Sequence, residues 1–173
     1  MNINTNKVKK IGIDIGRVII KEDTDNPGLF FSEKYLETSP VENSFKSIVN
    51  IIDMFGKENV YLVSKCGEKT QKKTIEWLHH KKFFETTGVF PENVYFCRER
   101  KEKKDICLKY GITFFIDDRY TVLKYILEIK DTELILFQPT KEEKSLFEES
   151  GNKDKIKECW NWDEVVSNLK NMS

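Results

Sequence analysis

The sequence predicts an α/β protein: a parallel five-stranded sheet flanked by helices. Two observations carry this prediction. Five short runs of apolar, β-branched or aromatic residues recur along the chain, and most are separated by amphipathic stretches long enough for a helix, which suits crossover connections better than hairpins. A length of 173 residues adds that one domain, residues 1–173, is the natural unit.

The first strand is read at residues 10–14, in KIGID. Residues 21–38 follow as an irregular loop, because Asp23, Asp25, Asn26, Pro27 and Gly28 are turn formers. A helix is predicted over 40–55. Ser39 supplies a cap, Pro40 a first-turn proline and Glu42 a capping-box partner, Phe45, Ile48, Ile52 and Phe55 repeat at helical spacing, and Gly56 closes the end. The second strand is read at 60–64 and the next helix at 68–84, then a strand at 94–97 and a helix at 103–110 stopped by Gly111. A strand at 113–117, a helix at 120–129 and a strand at 133–137 continue the alternation. A closing helix at 162–169 buries Trp162, Val165, Val166 and Leu169.

Composition narrows the function. With 39% hydrophobic and 34% charged residues the chain can bury a core and stay soluble, and 29 basic against 29 acidic residues leave no global field to draw nucleic acid or an anionic membrane. No apolar run approaches the roughly 20 residues of a membrane span. The opening MNINTNKVKK is basic, but the apolar stretch after it contains Asp14 and Arg17 and no small-residue cleavage site, so the expected location is cytoplasmic. Four cysteines without CxxC spacing and two adjacent histidines argue against a zinc cluster, and the cysteines read as buried or half-buried reduced thiols. Charge is uneven along the chain: residues 64–82 hold six Lys and two Glu, a solvated helix face or a cationic rim beside an anionic ligand.

Asp14 ends the first predicted strand, Ser64 the second, and Asp117 with Asp118 the fourth. Side chains at the carboxyl ends of parallel strands face the crevice where open α/β sheets bind ligands. Acids gathered there repel one another without a cation, and an all-oxygen set suits Mg²⁺. A hydroxyl at a strand-to-helix turn, with Lys65 and Gly67 beyond it, suits phosphate oxygens. For any one of these residues, capping of the next helix is the plain structural alternative.

Taken together, IGIDIGRVI, YLVSKCG, CRERKEKKDI and FFIDDR resemble the four motifs of the haloacid dehalogenase (HAD) superfamily, over roughly residues 8–130. The stretch from VSKCGEKTQ to FFIDDR is also similar to HAD-like proteins near the 5'-nucleotidases. The resemblance implies a Rossmann-like core and a phosphatase in which Asp14 attacks phosphorus and forms an aspartyl-phosphate. It implies Mg²⁺ held by Asp14, the Gly16 carbonyl and one or both of Asp117 and Asp118, with Ser64 and a lysine on the phosphoryl oxygens. Lys103 is the favoured lysine, ahead of Lys104 and Lys101. The sequence departs from the pattern at Gly16, where most HAD phosphatases carry an Asp as general acid and base; Glu22, Asp23 and Asp25 on the following loop are candidate substitutes.

Residues 21–38 are too few for a separate cap domain, so an open site is expected, suited to a nucleotide, a nucleic-acid end or a phosphoprotein. Gly28, Leu29, Phe30 and Phe31 form either an apolar flap on which a base stacks or a core anchor. The alternative to a phosphatase is a HAD-like binding or regulatory module that keeps the cation site without turnover. A dehalogenase or a receiver domain fits the position of the acid pair less well. Nothing in the sequence specifies an oligomeric state.

Overall fold

A computed structural model of the chain describes residues 8–172, so most of the basic opening segment lies outside the described residues. Six strands form one parallel sheet: β1 (Ile11–Ile13), β2 (Val60–Lys65), β3 (Val94–Cys97), β4 (Phe114–Asp117), β5 (Glu133–Phe137) and β6 (Ile156–Cys159). Their order is β3-β2-β1-β4-β5-β6, the doubly wound order in which the chain reverses direction across the sheet beside β1. The strands are short and almost wholly apolar because both faces are covered.

Helices α1 (Ser44–Phe55), α2 (Glu68–His80), α3 (Phe83–Thr87) and α7 (Trp162–Asn171) cover one face, where Ile48, Trp77, Phe83 and Trp162 pack on Ile11, Ile13 and Leu62. Helices α4 (Glu102–Tyr110), α5 (Tyr120–Ile126) and α6 (Lys141–Glu149) cover the other, where Cys107, Leu123 and Phe147 pack on Val63, Phe115 and Leu134. Among the described residues no helix is long and apolar enough to cross a membrane.

Several predicted elements need correction. The sheet has a sixth strand, which the sequence hides because its IKEC run carries two charges and sits at the sheet edge beside β5. Helix α6 is also unpredicted: its apolar residues are only Leu146 and Phe147, and it starts on the Thr140 side chain, which accepts from the Glu143 N–H. The predicted capping box at Ser39 does not form. Instead the Ser39 carbonyl accepts from Lys21 N–H at 2.9 Å and Val41 N–H donates to the Ile19 carbonyl at 2.7 Å. That pairing consumes the segment, and the helix begins later, after Asn43 at φ 64°. The predicted helix over 68–84 breaks at Lys82, which adopts φ 55°, and the helix over 120–129 ends at Ile126. Residues 21–38 contain only two three-residue 3-10 turns, Leu29–Phe31 and Tyr35–Glu37.

Candidate active site

The site forms where the carboxyl ends of β1, β2 and β4 meet. Parallel pairing of β1 with both neighbours aligns Ile13 with Leu62 and with Ile116, so Asp14 leaves the sheet between Ser64 and Asp117. Asp14 N–H donates to the Ile116 carbonyl at 2.9 Å, which holds the nucleophile candidate to the end of β4. Asp14, Ser64, Asp117 and Asp118 are all buried.

The chain then turns at once. The Ile15 carbonyl accepts from Ile19 N–H at 2.8 Å and Ile20 N–H at 3.0 Å, and Ile15, Val18 and Ile19 go into the core. Gly16 and Arg17 are left exposed at the crest of this turn. Arg17 adopts φ 65°, a left-handed conformation that costs a non-glycine residue about 1–2 kcal/mol. Gly16 has no such conformation, and a Cβ built on it meets nothing within 4 Å. Neither backbone geometry nor crowding therefore requires glycine at position 16.

Of the three candidate lysines, only Lys103 reaches the acids. It is 2% exposed, and its Nζ lies 3.0 Å from Asp14 Oδ1 and 2.7 Å from Asp117 Oδ2. Lys104 pairs instead with Glu128, and Lys101 with Glu99, both on the surface. Burial alone would lower the Lys103 pKa, but the charges of Asp117 and Asp14 overcome it and push the ammonium's pKa upward. With two of its three N–H groups spent on carboxylates, one remains for a phosphoryl oxygen.

The two adjacent aspartates have different surroundings. Asp117 is fully buried, with Oδ2 on Lys103 and Oδ1 accepting from Arg119 N–H at 3.0 Å. Asp118 lines the cavity beside Asp14. Burial, followed by the charge of Asp14, raises Asp117 to about 6, and burial with Asp14 and Asp117 holds Asp118 well above the usual carboxylate range. Oxygens of Asp14, Asp117 and Asp118 lie within 4.8 Å of one another. Three buried carboxyl groups face one lysine, so their full ionisation would leave two negative charges uncompensated, and all the donors are hard oxygens, so the residues fit a divalent cation of the Mg²⁺ type. Asp14 and Asp118 hold the cavity side of that set, with Gly16 beside them, while Asp117 mainly holds Lys103.

A cavity of about 420 Å³ opens over these groups. Its wall includes Arg17, Lys21, Lys65 and Arg119; of these cations the sequence points to Lys65 alone, beside the Ser64 hydroxyl. Of Glu22, Asp23 and Asp25, the candidate acids of the following loop, only Glu22 lines the cavity. Asp23 is taken by the loop itself, its Oδ1 accepting from Asp25 N–H at 2.9 Å and Asn26 N–H at 3.1 Å, and Asp25 is exposed away from the cavity wall. The flap divides its two readings between neighbours. Phe30 is half-buried against the core, whereas Phe31 stays 66% exposed on the cavity wall. The loop is fastened to α2: Lys73 Nζ donates to the Phe31 and Ser32 carbonyls at 3.1 Å, Tyr35 hydroxyl donates to Glu76, and Trp77 Nε1 donates to the Thr38 carbonyl at 2.9 Å.

Beyond the cavity mouth, Glu143 is a buried acid with no motif or spacing to mark it in the sequence. It accepts from Thr121 N–H at 3.0 Å and Thr121 hydroxyl at 2.7 Å, bracing the start of α5 just after the acid pair. Cys66 also lines the cavity, and burial raises its thiol pKa, so it stays protonated at neutral pH.

No protein-family model matches the chain, and no curated protein sequence does. Solved structures do match. A haloacid dehalogenase-like family hydrolase from Xanthomonas campestris superposes with a TM-score of 0.64 at 9% identity, covering 95% of this chain and 96% of the other. D,D-heptose 1,7-bisphosphate phosphatase from Burkholderia thailandensis superposes with a TM-score of 0.60 at 12% identity, covering 94% of this chain and 98% of the other. The fold is therefore that of HAD-like hydrolases across nearly the whole chain.

Proposed function

We propose that the chain is a Mg²⁺-dependent phosphatase that works through an aspartyl-phosphate on Asp14. The observation that carries this reading is the buried cluster of Asp14, Lys103, Asp117 and Asp118 at the floor of an open cavity, at the β1/β4 end of a doubly wound sheet. That one of the superposing proteins is a phosphatase supports it.

Asp14 is the nucleophile: its carboxylate faces the cavity, and Lys103 on Oδ1 fixes its orientation. Asp117 keeps that lysine charged and in place. The third N–H of Lys103 and the Ser64 hydroxyl bind the phosphoryl oxygens, where charge spreads in the transition state. Asp14, Asp118 and the Gly16 carbonyl would hold Mg²⁺, and the bound ion would supply the positive charge that lets a carboxylate approach an anionic phosphate. Residues 21–38 leave the site open, so a nucleotide, a nucleic-acid end and a phosphoprotein all meet its size.

Turnover of p-nitrophenyl phosphate with Mg²⁺ tests the reading. The expected result is steady hydrolysis, abolished by chelation and by Asp14→Asn. Cation binding without turnover, in a folded protein, would assign the site instead to a regulatory or binding module.

A further inference from the structure

We propose that this site acts on phosphoanhydrides, removing the terminal phosphoryl group of a diphosphate such as a nucleoside diphosphate, rather than on phosphate esters of ordinary alcohols. The inference rests on the phosphatase reading and deepens it by naming the substrate class.

Gly16 sits at the crest of the turn that follows Asp14. No acid stands at this position, the neighbouring space is open, and nothing in the backbone excludes a side chain there. A leaving alkoxide must be protonated as it departs, since its conjugate acid is about as weak an acid as bulk water. A leaving phosphate needs no proton, because the second pKa of a phosphate ester is about 6. What a leaving phosphate does need is positive charge, and the cavity supplies it. Arg17, Lys21 and Lys65 line it and, among the described residues, form no ion pair, and Arg119 lines it with only a 3.8 Å contact to Glu143. Arg17 comes directly after Gly16, and it holds a left-handed backbone that glycine would adopt more easily. Its guanidinium, held on the cavity wall at the expense of backbone preference, matches phosphate oxygens in geometry as well as charge.

The step balances without a proton donor. An Asp14 carboxylate oxygen bonds to the terminal phosphorus while the bond from that phosphorus to the bridging oxygen breaks. The bridging oxygen keeps the electron pair and leaves as the terminal oxygen of a phosphate monoester dianion, against the cationic wall. Water then attacks the aspartyl-phosphate, regenerating the Asp14 carboxylate and releasing orthophosphate, with the water proton passing to solvent or to the product phosphate. Phe31, exposed on the same wall, offers a face for a nucleobase.

The test measures kcat/KM with Mg²⁺ for ADP, AMP, glycerol phosphate and inorganic diphosphate, with p-nitrophenyl phosphate as reference. ADP is expected to exceed AMP and glycerol phosphate by ~10²-fold or more. Arg17→Gly is expected to fold with an unchanged or higher Tm and to shrink the ADP-to-p-nitrophenyl phosphate ratio about tenfold, while Gly16→Asp is expected to raise turnover of AMP and glycerol phosphate and narrow their gap to ADP. Calorimetric binding of α,β-methylene-ADP to the Asp14→Asn protein, weakened by Arg17→Gly, provides a readout independent of turnover. Phe31→Ala separates the two sources of a diphosphate: loss confined to ADP assigns a nucleoside, and equal rates on inorganic diphosphate with no Phe31 effect assign the inorganic compound. Equal kcat/KM for ADP and AMP alongside robust p-nitrophenyl phosphate hydrolysis would overturn the anhydride assignment and leave the phosphatase reading standing. No hydrolysis of any compound would overturn both.

Discussion

Lys103 shows how much one side chain can decide at this site. Its ammonium is buried between Asp14 and Asp117, so Lys103→Ala strips two buried carboxylates of their counter-charge. Breaking such a pair typically costs about 3–5 kcal/mol, and the phosphoryl-binding charge goes with it. Lys104→Ala removes only a partly exposed contact with Glu128, a pair whose side chains are 29% and 56% exposed, and exposed pairs are worth about 1 kcal/mol or less. Denaturant unfolding and turnover measured on both variants should rank Lys103 far above Lys104; Lys103→Arg, which keeps the charge, should recover stability better than activity. The choice among the three lysines was legible because Lys103 falls at the start of a helix. The division of labour between Asp117 and Asp118 was not, since adjacent identical residues look alike in a sequence and only the β4 pleat turns one inward to Lys103 and the other to the cavity. The left-handed conformation of Arg17, φ 65°, was hidden for a similar reason, since nothing in IGRVI announces it.

At the scale of elements, the strands that build the site were the most legible, because a both-faces-covered strand is a short apolar run bounded by polar residues. Val94–Cys97 and Glu133–Phe137 match the predicted bounds, whereas β6 and α6 were missed because their burial comes from neighbours rather than from their own pattern. Helix starts were less legible still: Ser39, Pro40 and Glu42 have the composition of a cap, but the strand-like pairing with Ile19–Lys21 competes for the same backbone and wins. Gly12 has a role at this scale. It pairs with Phe115 across β1 and β4, and a Cβ on it would fall 2.5 Å from Phe115 Cε2 and 2.6 Å from Cδ2. Phe115 is buried and cannot swing out to solvent. Gly12→Ala should therefore destabilise the fold by about 1–3 kcal/mol through overpacking, seen as a lower denaturation midpoint. An unchanged midpoint would mean that the two strands separate freely at the base of Asp14.

For the whole molecule, the strand order brings acids from β1 and β4 to one point, over which the cavity opens. The result is a stability that depends on pH and on cation. Burial raises Asp117 to about 6 and Asp118 well above its usual range, with Asp14 adding to both. A carboxyl whose folded pKa is raised stabilises the fold fully below its unfolded pKa of about 3.9, and that contribution is lost as pH rises through the folded pKa. Without added metal, the Tm contribution of this cluster should thus fall between about pH 4 and neutrality, and Asp118→Asn should flatten the fall. A divalent cation binds the ionised form and reverses the loss. At a hundredfold excess over its Kd, Mg²⁺ should add about 2.7 kcal/mol near neutral pH. That corresponds to about 5–11 °C in Tm for a chain of this length. At pH 5 the gain should shrink, because protons compete for the same oxygens. Thermal scans at the two pH values, with Mg²⁺ or with chelator, measure this directly: a Mg²⁺ shift of equal size at both, or one that survives in Asp118→Asn, would place cation binding somewhere other than the Asp14 and Asp118 oxygens.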